Sequence, residues 1–179
     1  METQFFKIPK ERIAVVIGPK GSLKAGIQKK TKTRLAIDSK TGEVEVTGKG
    51  TDLQTLQAVN VVKAIGRGFS PEHAFRLLDE DYYLELIDLE EMFGRQKKRI
   101  EMRKGRVIGR NGAMRKALEG DTNVLVSVFG KTIALIGKID DLETAKIAIQ
   151  MLLEGKPHKL VYRYLDKATT EQPREGLEL

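Results

Sequence analysis

Cysteine and tryptophan are absent from this chain, and aromatic residues make up only 6% of it. Without cysteine there can be neither disulfides nor thiolate metal ligands. No apolar run approaches the roughly 18–20 residues that a membrane-spanning helix needs, and positions 1–10 lack the long apolar core of a secretory signal. We therefore expect a cytoplasmic protein that does not contact a membrane.

Glycine, in contrast, recurs in a pattern. The sequence Val-Ile-Gly-x-x-Gly occurs twice, at positions 16–21 and 107–112, with its glycines 91 positions apart. The match continues at this spacing through the following apolar residues. Beyond Gly48 the spacing falls to 89, so that Asp52 corresponds to Asp141. A match sustained over this length predicts that one structural unit was duplicated.

Basic residues concentrate around both copies of the motif. The net charge is +7 and the pI is about 9.5. Positions 7–34 hold nine Lys or Arg residues and one acid, Glu11, while positions 95–116 hold ten and one acid, Glu101. A single lysine-rich helix is usually a solvated face, but two such stretches at equivalent places in a repeat favour a surface for a polyanion.

Hydrophobic periodicity predicts an α+β fold in each copy. The predicted strands are 4–8, 34–38, 43–47, 82–89, 124–129 and 132–136. The predicted helices are 11–17, 22–30, one from Asp52, 71–79, 97–108, 113–119, 141–153 and a short one from Pro157. Asp52 is predicted to cap its helix, whose apolar face comprises Leu53, Leu56, Val59 and Val62. We place the domains at 1–80 and 81–168, followed by a frayed, flexible tail at 169–179.

The motif's glycines suit a tight turn between two helices. Gly18 and Gly21 carry no Cβ, so the backbone can turn sharply and a ligand can approach it closely. The helix that follows begins with unpaired N–H groups and a partial positive charge, which favour phosphate oxygens. Lys20 and Arg110 add one cation to each loop. A lone Gly-x-x-Gly is usually a plain turn, but paired loops with basic flanks favour binding of single-stranded nucleic acid.

This arrangement resembles the type I KH domain, in duplicate. In that family the Gly-x-x-Gly is followed by apolar residues and a Thr-Gly before a strand. Here Lys32 and Asn123 replace that glycine, and Lys24 and Arg115 replace an apolar residue. The resemblance implies an α+β fold of two tandem type I KH domains, each a three-stranded antiparallel sheet with helices packed on one face. It also implies that each loop grips an RNA backbone while the bases lie in an apolar groove.

The resemblance implies one RNA-binding site in each copy, made of the loop, nearby cations and the groove. The first comprises Val16, Ile17, Gly18, Pro19, Lys20, Gly21, Lys24, Ile27, Arg34, Leu35 and Ile37. The second comprises Arg106, Val107, Ile108, Gly109, Arg110, Asn111, Gly112, Arg115, Lys116, Leu118, Val126 and Val128. Aromatic residues are sparse near the loops, which argues against a binder that stacks bases on a platform of rings.

Two further segments extend the resemblance over nearly the whole chain. Ile-Pro-Lys-Glu-Arg-Ile at positions 8–13 and Ala-Ile-Gly-Arg-Gly-Phe-Ser-Pro at 64–71 are similar to the archaeal KH protein of the "partner of Nob" type. That family assists maturation of the small ribosomal subunit, binds near the 3′ end of its ribosomal RNA and works beside an endonuclease on another chain. The resemblance implies an assembly or processing factor with single-stranded ribosomal RNA as partner, and an endonuclease or other ribosome-assembly protein as a second partner.

Three alternatives remain open from the residues alone. A nuclease could hold Mg²⁺ with the acids at 79–91, although solvated acids are the simpler interpretation. One unit could have exchanged RNA for a protein partner, giving an interaction scaffold or translation-linked adaptor with one RNA-competent KH unit. The helix–turn–helix outline would also admit DNA. The glycine spacing matches neither a dinucleotide fingerprint nor a Walker sequence, so we expect a non-enzyme without cofactor or metal.

Overall fold

A computed structural model of the chain describes residues 3–171. The chain divides into unit 1 and unit 2 between Leu84 and Glu85, slightly beyond the predicted division after position 80. The first elements are β1 (Thr3–Lys7), α1 (Lys10–Ile17), α2 (Ser22–Thr31), β2 (Thr33–Ile37), β3 (Glu43–Gly48), α3 (Asp52–Gly66), α4 (Pro71–Ala74) and a 3₁₀ turn (Phe75–Leu78). There follow β4 (Tyr83–Asp88), α5 (Leu89–Phe93), α6 (Lys97–Ile108), α7 (Ala113–Thr122), β5 (Leu125–Phe129), β6 (Thr132–Gly137), α8 (Ile139–Leu153) and α9 (His158–Glu171).

Each half of the chain builds the same sheet. The strand orders are β1-β3-β2 and β4-β6-β5, so the third strand of each set lies in the centre. Leu35 of β2 lies opposite Val46 of β3, and Leu125 of β5 lies opposite Ile136 of β6, in antiparallel pairs. Side chains alternate along β3, so Val44 and Val46 are buried beneath the helices while their neighbours face solvent. The predicted α+β fold of two three-stranded antiparallel sheets with helices is confirmed.

The last helix of unit 2 is longer than the sequence pattern predicts. α9 runs for 14 residues and packs on α7 and α8. Val161 and Leu165 of α9 are fully buried in one core with Met114 and Leu118 of α7. Thr169 donates a hydrogen bond to the Asp121 carbonyl, 3.3 Å away. Thr169–Glu171, predicted as the start of a frayed tail, are thus the last residues of α9, and the rest of that prediction lies outside the described residues.

The sequence match at an offset of 89 is two residues out of register over α3 and α8. α3 begins at Asp52 and α8 at Ile139, a spacing of 87 rather than 89. A Cβ on Gly48 would meet the side chain of Thr55, and one on Gly137 would meet that of Leu142, so Thr55 and Leu142 are true equivalents.

The prediction of one apolar face on α3 is therefore partly wrong. Val59 and Val62 are buried, but Leu53 and Leu56 are 44% and 55% exposed. The helix is capped by Thr51 rather than Asp52, because Thr51 and Gln54 form a reciprocal capping box.

The remaining element predictions hold to within a few residues. α6 spans the predicted range, and Ser70 caps α4 with Pro71 at its first position. The five-residue α5 was not predicted, because so short a helix carries no periodicity, although Asp88 caps it with its carboxylate. Within residues 3–171, no helix is both long and apolar enough to cross a bilayer.

Candidate nucleic-acid interface

The first glycine of the loop in unit 1 allows two helices to approach closely. The N–H of Gly18 ends α1 by donating to the Ala14 carbonyl at 3.0 Å, and its φ is +72°. A Cβ on Gly18 would lie 2.6 Å from the Cβ of Leu23 in α2, closer than any real contact. Any larger residue would push α2 away, so Gly18 has a structural role.

The second glycine faces open space instead. Gly21 has a left-handed φ of +75°, yet an added Cβ would meet nothing within 4 Å. No side chain caps the first turn of α2, whose N-cap is Gly21 itself. The Ser22 N–H, the first of α2, donates to the Pro19 carbonyl, and this is the end of the helix where the macrodipole favours negative charge. An extended phosphate backbone can approach this side of the loop without a steric obstacle.

The loop of unit 2 has the same backbone. Gly109 has a φ of +72°, and its Cβ would lie 2.8 Å from the Cβ of Met114. Gly112 has a φ of +74° and open space beside it. The residue before the second glycine is left-handed in both loops, with φ of +53° at Lys20 and at Asn111. Two loops that share these angles can bind a ligand in the same way.

The cations of the two loops do not occupy equivalent positions. Lys20 corresponds to Asn111, and Arg110 corresponds to Pro19. Both cations are exposed. Each loop therefore presents one cation, displaced by one residue between the units.

Further cations flank each loop. In unit 1, Lys24 is half-buried on α2 and Arg34 is exposed on β2. In unit 2, Lys116 is exposed on α7, and Arg115 lies 3.7 Å from the Glu119 carboxylate. These predicted cations thus lie on the helix and strand that follow each loop, and Arg115 is paired with an acid.

Most of the predicted groove residues belong to the core. Six of the ten are buried: Val16, Ile27, Leu35, Val107, Leu118 and Val126. The other four are half-buried beside the loops: Ile17, Ile37, Ile108 and Val128. Only these four offer apolar surface that a base could contact without displacing the core, so the roles of the buried six in RNA binding stay predictions.

A polar residue in each groove was missed from the sequence. The Gln28 side-chain oxygen accepts a hydrogen bond from the Leu35 N–H at 2.8 Å, on the edge of β2 that β3 leaves free. The Glu119 carboxylate accepts from the Val126 N–H at 2.9 Å in the same place of unit 2. The two residues are 91 positions apart, so the repeat could have identified them. Unit 1 thus has a neutral amide beside its groove, where unit 2 has a carboxylate.

The hairpin turn beyond β2 is held by Asp38. Its carboxylate accepts from the N–H groups of Lys40 and Thr41, at 2.7 and 3.2 Å. These two backbone hydrogen bonds lower the pKa of Asp38 below its ordinary value. The turn is therefore ordered by its own side chain, which fixes where β2 ends beside the groove.

Arg106, predicted to bind RNA, is held by hydrogen bonds within unit 2. Its Nε donates to the Leu152 carbonyl at 2.8 Å, and its terminal nitrogen donates to the Lys156 carbonyl. In unit 1, Arg12 makes the same two contacts, to the carbonyls of Ile65 and Phe69 at 2.8 and 2.9 Å. Arg106 thus links α6 to the C-terminal end of α8, and its role in RNA binding stays a prediction.

Four of the seven acids considered for a nuclease have structural partners. The Asp88 carboxylate accepts from the N–H of Glu90 and of Glu91. Glu90 pairs with Arg95 at 3.1 Å and with Lys131. Glu85 pairs with Lys146 at 2.9 Å and Asp79 accepts from the Asp81 N–H. Among the described residues, no three His, Asp or Glu side chains gather in a way that could hold a metal ion.

These features define a class of protein. A helix, a Gly-x-x-Gly loop and a second helix lead into an antiparallel hairpin and a third helix, twice along the chain. This is the arrangement of two type I KH domains, which are modules that bind single-stranded nucleic acid.

Comparisons with known proteins agree with that class. The family profile described as "Eukaryotic type KH-domain (KH-domain type I)" matches residues 83–170, and that described as "KH domain" matches residues 3–64. A KH domain-containing protein of Methanocaldococcus jannaschii is 39% identical over 181 residues, covering 98% of this chain and 78% of that protein. The pre-rRNA-processing protein PNO1 of Candida albicans is 27% identical over 135 residues, covering 74% of this chain and 49% of its own length.

Two solved structures are more similar still. Dim2p from Pyrococcus horikoshii is 48% identical with a TM-score of 0.86, over 93% of this chain and 99% of that one. Dim2p of the same organism in a complex with a/eIF2alpha and rRNA is 46% identical with a TM-score of 0.88, over 96% of both chains. The chain belongs to the family of two-KH-domain proteins that includes archaeal Dim2p and PNO1.

Proposed function

We propose that this chain binds single-stranded ribosomal RNA through both KH units, near the 3′ end of the small-subunit RNA, and acts there in assembly or processing. The observation that carries the proposal is the pair of Gly-x-x-Gly loops with the same backbone angles, open space beside the second glycine and a cation within the loop. In support, Dim2p has been crystallised in a complex with rRNA, and the PNO1 relatives are named for pre-rRNA processing.

The loops would hold the RNA by its backbone. Phosphate oxygens would accept hydrogen bonds from the first turns of α2 and α7 and would be attracted to Lys20 or Arg110. Bases would then lie over the half-buried Ile17 and Ile37 in unit 1, or over their equivalents in unit 2. The chain itself would supply binding and not catalysis, which is supported by the roles of Asp88 as a helix cap and of Glu85 and Glu90 as ion-pair partners. Cleavage of the RNA would fall to another protein.

A protein partner is part of this proposal. The Dim2p complex contains a/eIF2alpha beside rRNA, and we propose that this chain also works beside another protein of translation or ribosome assembly. The adaptor with only one RNA-competent unit is favoured by one observation, the Glu119 carboxylate in the groove of unit 2. A cytoplasmic location stays a prediction.

The test is binding of an RNA oligonucleotide with the 3′-terminal sequence of small-subunit ribosomal RNA. Lys20→Asp and Arg110→Asp should each weaken binding by about tenfold and lower the log–log salt slope by about 0.7 for each phosphate that the protein no longer neutralises. The double variant should bind weakest. Lys29→Asp and Lys159→Asp change the net charge equally on exposed helix positions and serve as matched controls.

Each outcome of this test decides one part of the proposal. An Lys20→Asp or Arg110→Asp protein that binds like the wild type would remove that unit from the main RNA contact. A double variant that is folded and retains full affinity would overturn the proposed function. Equal affinity for DNA of the same sequence would remove the preference for RNA, and release of shortened RNA with Mg²⁺ would show that the chain is an enzyme.

A further inference from the structure

Unit 2 contains a segment that unit 1 lacks. Unit 1 passes from β1 to α1 through Ile8 and Pro9 alone. Unit 2 places α5 and a short turn between β4 and α6, and α6 has 12 residues where α1 has 8. Because both helices end at the residue before the first loop glycine, the additional length of α6 lies at its start. We call residues 89–99 the α5–α6 segment.

The α5–α6 segment has a fixed place in unit 2. Leu89 is fully buried, and its N–H donates to the Lys131 carbonyl at 2.8 Å. The Glu90 carboxylate pairs with the Lys131 side chain. The ring of Phe93 lies 4.9 Å from the guanidinium of Arg103 on α6. These contacts fix α5 against both the hairpin of unit 2 and the helix that follows it.

Three consecutive cations begin α6. Lys97, Lys98 and Arg99 are all exposed, and the first turn of the helix holds no acid. Within residues 3–171, neither Lys97 nor Lys98 has an acid at ion-pair distance. The macrodipole disfavours positive charge at this end of a helix. The fold of the described residues therefore gives no reason for this charge.

An exposed face of α6 leads from these cations to the loop. Lys98, Met102 and Gly105 are exposed and are spaced by four and three positions, so they share one side of the helix. Four positions further on, the same side reaches Gly109, the first loop glycine. A Cβ at Gly105 would meet nothing within 4 Å, so no other part of unit 2 covers the face there.

Unit 1 has no equivalent of this charged path. The repeat places the exposed acid Glu11 at the position of Met102, and α1 begins one residue before it. The charge of the α5–α6 segment is therefore separate from the cations that the two units share around their loops.

We propose that Lys97, Lys98 and Arg99 bind the RNA backbone beyond the nucleotides that the loop of unit 2 grips, with the strand running along the exposed face of α6. This inference rests on the proposed function and adds a second backbone contact to it. Lysine binds phosphate as a point charge, so the contact is independent of base sequence. An acidic protein would satisfy the same charges, but it would not require a face that ends at the loop.

The dimensions fit a short extension of the bound strand. A KH loop holds about four nucleotides. The 12 residues of α6 span about 18 Å. Stacked nucleotides advance by about 3.4 Å each along one strand, so about six more nucleotides cover this length. The cations at the start of α6 are therefore within reach of RNA that leaves the loop.

The probes are RNAs of two lengths. The short RNA is the smallest fragment of the 3′-terminal sequence of small-subunit ribosomal RNA whose affinity still falls in Arg110→Asp. The extended RNAs carry six additional uridines at the 5′ end or at the 3′ end. In fluorescence anisotropy, one of the two extended RNAs should bind the full chain about threefold to tenfold more tightly than the short RNA. Its log–log salt slope should be steeper by about 0.7 for each added phosphate contact.

A matched pair of double variants assigns this gain to the α5–α6 segment. Lys97→Gln with Lys98→Gln should remain folded, because it removes charge that the macrodipole disfavours. It should lose the gain from the uridines and bind the short RNA within about twofold of the wild type. Lys159→Gln with Arg163→Gln removes two exposed cations from α9 and should keep the gain. Photo-crosslinks from 4-thiouridine in the added tail should fall within residues 94–105.

Several results would overturn the inference. These are no gain from either extension, the same loss of gain in the α9 control, a loss of affinity for the short RNA as large as that for the extended one, or crosslinks that all fall outside residues 94–105. Failure of the proposed function looks different, because no fragment would then depend on Arg110, and the inference would fail with it. A fragment that depends on Arg110 but gains nothing from added uridines would remove the α5–α6 contact alone.

Discussion

The two loops solve one conformational problem with different residues. Both need left-handed backbone before the second glycine and again at the end of the following helix. Unit 2 places Asn111 and Asn123 there, and asparagine tolerates this conformation well. Unit 1 places Lys20 and Lys32 at the same positions, although an ordinary residue is disfavoured there by roughly 1–2 kcal/mol. Unit 1 therefore gains positive charge beside its loop at the expense of stability.

The grooves differ in the same direction. Beside its groove unit 1 has Lys24, the neutral Gln28 and, on β2, Arg34. Unit 2 has Arg115 held near the Glu119 carboxylate and an uncharged leucine at the position of Arg34. We therefore expect the groove of unit 1 to depend more on charge to hold RNA, and that of unit 2 to depend more on its backbone and shape.

The largest expected effect is on the free energy of unfolding, from a substitution at the first loop glycine, which packs against the following helix in both units. Gly18→Ala should lower the free energy of unfolding of unit 1 by about 3 kcal/mol, because its Cβ overlaps α2 and its φ is positive. Gly21→Ala should cost only about 1 kcal/mol, because the space beside it is open. Amide hydrogen exchange measures both and resolves the two units. Equal costs for the two substitutions would contradict the distinct roles assigned to the glycines.

The next effect concerns the arginine that hydrogen-bonds to two carbonyl groups at the end of α3 or α8, Arg12 in unit 1 and Arg106 in unit 2. Arg106→Met keeps the side-chain stem but removes two hydrogen bonds to the end of α8, so unit 2 should lose about 2 kcal/mol of stability. RNA affinity of the folded protein should stay within about twofold. Lys116→Met is the matched control and should show the reverse pattern, with unchanged stability and weaker RNA binding. A loss of RNA affinity in Arg106→Met without a loss of stability would show instead that Arg106 contacts RNA.

The role of Arg106 illustrates what the sequence could not predict. The repeat predicted the loops, the hairpins and the order of elements, because those depend on glycines, turn residues and short-range periodicity. The hydrogen bond from Arg106 to the Leu152 carbonyl joins residues 46 positions apart. Arg12 in unit 1, which makes the same contacts, does not correspond to Arg106 in the repeat. A basic residue next to a basic loop looks like a ligand contact in sequence, and only the fold reveals that its guanidinium points to carbonyl groups.

The exposed leucines of α3 show a second limit. Leu53 and Leu56 have helical spacing with Val59, so the pattern predicts one apolar face. Register over this helix is set by the close contact between Gly48 and Thr55, which sequence matching with an offset of 89 misses. With the offset of 87, the equivalents of Leu53 and Leu56 in unit 2 are Asp140 and Glu143, both exposed on α8. Polar residues in one repeat thus identify the solvent face of the other.

A smaller effect tests the charge difference between the grooves. Glu119→Gln keeps the oxygen that accepts from Val126 but removes the carboxylate charge, so RNA should bind about threefold to tenfold more tightly. Gln28→Glu should weaken binding by a similar factor. Glu143→Gln makes the same change of net charge at an exposed site of α8 and is the control. If Glu119→Gln and the control act alike, net charge and not the groove explains the result.

The smallest effect concerns the left-handed residue at the end of α2. Lys32→Asn should raise the free energy of unfolding of unit 1 by about 0.5–1 kcal/mol, because asparagine is less strained at a φ of +49°. Asn123→Lys should lower that of unit 2 by the same amount. The measurement is urea denaturation at high salt, where repulsion among the cations of unit 1 is screened. Persistence of both shifts at high salt assigns them to backbone conformation, whereas a Lys32→Asn effect that disappears with salt would assign it to charge repulsion. In the first case, the conformational cost at Lys32 would be the amount of stability that unit 1 gives up for its extra charge.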